Sequence, residues 1–137
     1  NLKVIIEHGE DGYFVARVPS LKGCWSQGQS KEEAIANIRE AIELYLEPDE
    51  YPTLPANGRE VVELANEIAA SLGKQVVRTL ERLGFVEVHR RGSHVKMRHA
   101  DGRMIVFPLH SEVDRFTLKG ALNDAEIDLH EFAKNIR

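Results

Sequence analysis

The sequence is poor in sulfur and in long apolar stretches. One cysteine, Cys24, among 137 residues excludes an intrachain disulfide. No Cys/His spacing of the kind that holds zinc is present, and no metal or other cofactor is expected. The longest apolar runs, Val4-Ile5-Ile6 and Met104-Ile105-Val106-Phe107, fall far short of the ~20 residues that span a bilayer, so no membrane partner is expected. No basic-then-apolar stretch opens the sequence as given, and a reducing cytoplasm is the expected compartment. Internal repeats and low-complexity tracts are missing too. What is present is 42% hydrophobic and 29% charged residues. That content offsets chain entropy and excludes disorder as the main state. The length suits one compact domain or two small ones.

The net charge of -4 hides a division. Residues 1–66 carry 6 Lys/Arg against 12 Asp/Glu, whereas residues 67–137 carry 12 against 10. Within 74–103, eight basic residues (Lys74, Arg78, Arg82, Arg90, Arg91, Lys96, Arg98, Arg103) face only Glu81, Glu87 and Asp101. Such asymmetry suggests an acidic module joined to one that meets phosphates. Two solvated surfaces with a chance imbalance are the plainer alternative.

The patterning divides at the same place. Leu2 to His8 and Tyr13 to Val18 read as strands around a Glu10-Asp11-Gly12 turn, and Cys24 to Gln27 as a short third strand. Ser30-Lys31-Glu32-Glu33 is a capping box opening a helix, with Ile35, Ile38, Ile42, Tyr45 and Leu46 on its apolar face and Pro48 as its stop. Pro48, Pro52, Pro55 and Asn57-Gly58 mark a connection. Residues 59–71 fit a helical stripe, although Arg59 to Leu64 also reads as a strand closing the first sheet. Val76, Val77, Leu80 and Leu83 give a helix ended by Gly84. Three strands follow, beginning at Phe85, around His94–Arg98 and over Met104–Pro108, with Asp101-Gly102 as a hairpin turn. Thr117–Asp124 and Asp128–Asn135 read as helices N-capped by Thr117 and Asp128. The expected class is α+β. A β-β-β-α domain spans residues 1–50, a linker or connecting helix 51–70, and an α-β-β-β-α domain 71–137.

The chemistry concentrates in Arg90-Arg91-Gly92-Ser93-His94-Val95-Lys96-Met97-Arg98. On an alternating strand His94, Lys96 and Arg98 share one face at ~7 Å spacing, with Val95 and Met97 directed into the core. Gly92 permits close approach of a ligand, and Arg90 and Arg91 add phosphate-binding capacity. Guanidinium and ammonium groups neutralise RNA phosphates. An imidazole exchanges protons with a ribose 2′-hydroxyl, and nearby cations would keep it neutral. No acidic cluster marks a two-metal nuclease site. The bland alternative is an exposed histidine on a solvated strand. His89, His99, His110 and His130 read as solvated or structural. Trp25 is either an interface anchor or part of the sheet packing. Glu40, Glu43 and Glu47, at helical spacing, read as a solvated helix face.

Both halves resemble a known family. Val4-Ile5-Ile6-Glu7, Asp11-Gly12-Tyr13-Phe14-Val15-Ala16, Val18-Pro19, Leu21-Lys22-Gly23-Cys24, Gln27-Gly28 and Ser30-Lys31-Glu32-Glu33-Ala34 resemble the antitoxin of the HicA–HicB toxin–antitoxin family. The resemblance implies a ribonuclease-H-like module that binds toxin and is not itself an enzyme. Gly73-Lys74, Gly84-Phe85, Arg91-Gly92-Ser93-His94, Asp101-Gly102-Arg103, Pro108-Leu109-His110 and Thr117-Leu118 resemble the HicA toxin. This implies a double-stranded-RNA-binding-domain-like fold that cleaves messenger RNA, with the essential histidine at His94. Lys22 departs from the antitoxin pattern, where Pro is common. Phe116 departs from the toxin pattern, where Gly precedes Thr-Leu, and Gly120 and Glu126 are atypical as well. The toxin-like half stands where such antitoxins usually carry a DNA-binding domain, so no DNA partner is expected.

The resemblance implies a fused antitoxin–toxin protein. Its toxin half would be a latent, metal-independent endoribonuclease in which His94 is the catalytic group, while Lys74, Arg90, Arg91, Gly92, Ser93, Lys96 and Arg98 hold RNA. A tether giving a roughly millimolar effective concentration would keep about 99.9% of chains closed at micromolar intrinsic affinity. The same tether permits a swapped homodimer. The rival expectation is a non-enzymatic regulator whose inactive toxin-like half binds RNA or a toxin or antitoxin partner.

Overall fold

A computed structural model of the chain describes residues 1–50 and 72–136. The expected linker at 51–70 and the helix-or-strand alternative at 59–71 lie outside these residues.

The N-terminal half is an antiparallel sheet of β1 (Ile5–His8), β2 (Phe14–Arg17) and β3 (Trp25–Gly28), in that order, covered by α1 (Lys31–Leu46). Gly12, at φ +91°, makes the first turn in a conformation that side-chain-bearing residues avoid. Ser30 caps α1 by accepting from the Glu33 N–H at 3.1 Å, and the Glu33 carboxylate reaches back to the Gln29 N–H. The buried stripe of α1 is Ala34, Ile38, Ala41 and Leu44. This corrects the expected isoleucine-rich face, since Ile35 and Leu46 are exposed. The reason is close approach. A Cβ on Gly28 would collide with the Ala34 backbone nitrogen, so small residues line the contact.

The C-terminal half runs α2 (Leu72–Arg82), β4 (Phe85–Arg91), β5 (His94–His99), β6 (Met104–Pro108), α3 (Arg115–Asp124) and α4 (Leu129–Asn135). Its antiparallel sheet has the order β4-β5-β6, with a register shift between Glu87 and His89. The fold is therefore α+β, as expected. Gly84 ends α2 at φ +95°. Asp128 caps α4 as expected, but α3 begins earlier than the Thr117 reading. Asp114 is its cap, accepting from the Phe116 N–H at 2.8 Å. Thr117 is buried inside the first turn.

The two halves share their hydrophobic cores. Val15 and Trp25 pack in the cluster that includes Val95, Met97, Ile105 and Phe107, while Val106 packs with Ala16, Cys24 and Leu44. The sheets meet where Val106 N–H donates to Gly23 C=O at 2.9 Å, forming a parallel bridge between Cys24 and Val106. A second seam gathers on Asp114, whose carboxylate accepts from the Glu10 and Asp11 amides at 2.9 and 2.8 Å besides capping α3. The buried Gln27 side chain completes this seam, donating to Glu112 C=O and accepting from Asp114 N–H. The third seam is α1 lying along β5. No helix among the described residues is long and apolar enough to cross a membrane.

Candidate functional site

Strand β5 presents His94, Lys96 and Arg98 toward α1, while Val95 and Met97 turn into the core. The alternation expected from the sequence holds. The exposure does not, because His94 is 0% and Lys96 2% accessible. The reading of Glu40, Glu43 and Glu47 as a solvated face is corrected for Glu40 and Glu47, which are half-buried against the cationic residues, whereas Glu43 stays exposed while pairing with Arg91.

Along β5 the contacts advance from Glu40 at His94 to Asp49 at Arg98, so α1 and β5 run in the same direction. Glu40 meets the Gly92-Ser93-His94 turn. One of its carboxylate oxygens lies 2.7 Å from His94 Nδ1 and accepts from Ser93 N–H at 3.0 Å. Gly92 leaves the space for this, since a Cβ there would stand 2.6 Å from the Glu40 carboxylate oxygens. Glu43 and Glu47 clasp the Arg91 guanidinium at 2.8 and 3.1 Å. Lys96 Nζ donates to Glu47 C=O at 2.6 Å and pairs with Asp49 at 3.0 Å. Asp49 also takes Arg98 in a bidentate pair at 2.7 and 3.1 Å. His89, expected on the surface, is mostly covered, with Nδ1 2.9 Å from Glu50 and Nε2 3.7 Å from Glu47.

Two predicted residues stand outside this row. Arg90 is exposed and pairs with Glu87 of its own strand. Lys74 is exposed at the start of α2, next to the His110 segment because Gly73 N–H donates to His110 C=O at 3.1 Å.

The other nitrogen of His94, Nε2, is 2.7 Å from the Ser26 hydroxyl of β3. Burial, more than any neighbouring charge, pushes the His94 pKa below 6.5, and His110 pushes the same way against the Glu40 carboxylate. The imidazole is thus neutral. Burial replaces the expected cause, the strand's own cations. Glu40, being an acceptor only, accepts a hydrogen bond from Nδ1–H, so Nε2 accepts from the Ser26 hydroxyl. Desolvation opposes ionisation of Glu40. The hydrogen bonds from His94 and Ser93 outweigh it and hold the carboxyl below its usual value. Hydrogen bonds from Arg98 likewise depress Asp49. Cys24 is chemically quiet, its thiol pushed up to about 12 by burial. Among the described residues no group of three or more His, Cys, Asp or Glu is placed to hold a metal ion.

Sequence reasoning missed Ser26, Asp49 and His110 as members of this site. His110 follows the end of β6 on the face of His94, their ring centroids 6.2 Å apart. Ser26 carried no signal short of the fold itself. Asp49 lies past Pro48 and two residues after Glu47, outside the helical spacing of the 40-43-47 series.

The residues that depart from the family patterns also meet across the seams. Trp25 lies edge-on to Phe116, its indole N–H donates to Asp124 at 2.8 Å, and a Cβ on Gly120 would collide with its ring. Trp25 is therefore an interface anchor. Lys22 pairs with Glu126 at 3.5 Å, and the Glu126 carbonyl accepts from Arg103 at 3.1 Å.

Comparison with known proteins finds two related families in the one chain. Residues 2–89 match the model of the HicB-like antitoxin of a bacterial toxin–antitoxin system, and residues 73–127 match that of the HicA toxin of such systems. The first match spans more than half of the chain, which therefore belongs to the HicB-like antitoxin family. With the second it carries antitoxin and toxin domains in one polypeptide. The chain is 57% identical over 44 residues to a UPF0150 protein of Thermoplasma acidophilum, covering 32% of this chain and 64% of the relative. It is 64% identical over 45 residues to one of Helicobacter pylori, covering 33% and 61%. The chain thus spans just under two thirds of the length of these relatives. A UPF0150 protein of Synechocystis is 32% identical over 69 residues, covering 50% of this chain and 88% of the relative.

Proposed function

We propose that the chain is a self-inhibited endoribonuclease, in which residues 71–137 cleave messenger RNA through His94 and residues 1–50 hold that activity closed in cis. The observation that carries the reading is the occupancy of His94. Both ring nitrogens are engaged by the N-terminal half, Nδ1 by a carboxylate and Nε2 by a hydroxyl, each at 2.7 Å.

Each engaged group has a counterpart in RNA. The Glu40 carboxylate lies in the Gly92-Ser93 turn as a phosphate oxygen would. Glu43, Glu47 and Asp49 continue the series onto Arg91, Lys96 and Arg98. The Ser26 hydroxyl offers its proton to Nε2 as a ribose 2′-hydroxyl would to a general base. The acidic helix thus imitates a phosphate backbone, and RNA and α1 compete for one surface. Lys74 and Arg90, away from α1, extend the RNA track. The 2′-hydroxyl requirement restricts the chemistry to RNA. Cytoplasmic messenger RNA is the substrate class, and the proton transfers proposed for His94 call for no metal.

The test is charge reversal in the full chain. Glu43→Arg, Glu47→Arg and Asp49→Arg together place cations against Arg91, Lys96 and Arg98. The opened chain is expected to cleave RNA in the presence of EDTA at a rate at least ~100-fold above the parent. His94→Ala in the same background returns the rate to the parent's. An opened chain that binds RNA without cleaving it leaves the non-enzymatic regulator as the correct reading.

A further inference from the structure

We infer that His110 is a second catalytic residue, the acid that protonates the departing 5′-oxygen while His94 removes the 2′-hydroxyl proton. The inference rests on the ribonuclease reading above and deepens it.

The need for a second group is chemical. In the cleavage, the 2′-oxygen gives its proton to His94 Nε2 and bonds to phosphorus, while the bond from phosphorus to the 5′-oxygen breaks. The 5′-oxygen leaves as a hydroxyl only if it receives a proton, and the products are a 2′,3′-cyclic phosphate and a 5′-hydroxyl end. Entering and leaving oxygens stand on opposite sides of phosphorus in an in-line displacement. One imidazole lying against the entering oxygen does not also reach the leaving one. A second donor must flank the phosphate.

His110 is positioned for that task. The antiparallel register pairs His94 with Pro108, and Leu109 N–H donates to Ser93 C=O at 2.6 Å, so the chain carries the next side chain of the same face, His110, beside His94. The ring centroids are 6.2 Å apart with planes at 65°. At that separation one phosphate lying across the edges of both rings can bring an oxygen within ~2.6–3.2 Å of a nitrogen of each. The His110 ring is partly accessible and makes no hydrogen bond to another described residue. Its backbone, by contrast, is fixed by the bond from Gly73, which also brings Lys74 alongside. In the closed chain the charged groups facing it are Glu33 and Glu40 of α1 and, when protonated, His94 of β5. Two neighbouring histidines of the same half are differently committed. His89 lies against Glu47 and Glu50, and His99 pairs with Asp101.

The experiment uses the opened full chain (Glu43→Arg, Glu47→Arg, Asp49→Arg) and two substrates of one sequence. One is ordinary RNA. The other carries sulfur in place of the bridging 5′-oxygen at a single linkage, and a thiolate leaves without a proton. His110→Ala is expected to slow cleavage of ordinary RNA by about 100-fold or more and cleavage at the sulfur linkage by less than about 3-fold. His94→Ala slows both, because both need the 2′-oxygen deprotonated. Equal slowing of the two substrates by His110→Ala, or less than about 3-fold slowing on ordinary RNA, overturns the role of His110 and leaves His94 standing. Failure of the opened parent to cleave either substrate, or indifference of both to His94→Ala, overturns the ribonuclease reading itself. Retained activity on the sulfur linkage also reports that His110→Ala folds.

Discussion

At the scale of single residues, the closed state is a set of protonation choices. His94 is held neutral by burial and His110 is shifted the same way, so the closed form binds fewer protons than an open form with ordinary histidines. The sign follows. A lowered histidine pKa supports closure fully above the ordinary value of 6.5, and that support is lost as the pH falls below it. Glu40 and Asp49, held low by their hydrogen-bonded partners, act in the same direction in a more acid range, below ordinary values of 4.5 and 3.8. Closure is therefore expected to weaken on acidification, by at most about 1.4 kcal/mol per pH unit for each histidine. Trp25 is the single tryptophan and is buried at the seam, so its emission reports opening. The expected result is a red shift on acidification that develops below pH 6.5 and ahead of the carboxylate range. A shift that begins only below pH 4.5 would assign the whole effect to carboxylates. The alternation of His94, Lys96 and Arg98 was legible because a strand's period of two depends on backbone geometry alone. Their burial was not, because burial is a property of what lies above the strand.

Among the elements, α1 is the one whose role the sequence understated. Its acids at 40, 43 and 47 have the spacing of any solvated helix face, and charge patterning along one element does not distinguish water from a cationic partner. The distinguishing feature is a match of two rows, Glu40 to Asp49 against Arg91 to Arg98, which only docking brings together. Strand and turn positions were more legible. Gly12, Gly84 and Gly102 all adopt positive φ where the turns were expected. Helix α3 illustrates the opposite case. Its cap, Asp114, also serves the Glu10 and Asp11 amides, so a long-range contact sets its start. The fit of α3 against Trp25 yields a test with an unusual sign. Alanine normally improves a helix by up to ~1 kcal/mol over glycine. At Gly120 a Cβ strikes the indole ring, so Gly120→Ala is expected to lose stability, by about 1–3 kcal/mol as an overpacked contact. Thermal unfolding of the full chain measures it, and a raised midpoint would show that the ring yields without loss.

For the molecule as a whole, the question is how the two halves find one another. A tether makes docking unimolecular, so its equilibrium does not depend on how much protein is present. With a protease site inserted between residues 50 and 72, the intact chain is expected to stay latent at every dilution, and the cut chain to gain RNA cleavage once diluted below its dissociation constant. Activation of the intact chain by dilution would identify exchange between two copies instead. The bridge from Gly23 to Val106 adds a liability to any release. Strand β6 is the last strand of its sheet, and the N-terminal half supplies what lies beside it. Withdrawing that half would bare a row of unsatisfied amides and carbonyls next to a newly exposed apolar surface, the combination that recruits foreign strands. An opened molecule would thus have a short soluble lifetime unless it reclosed, so release of the halves would limit itself.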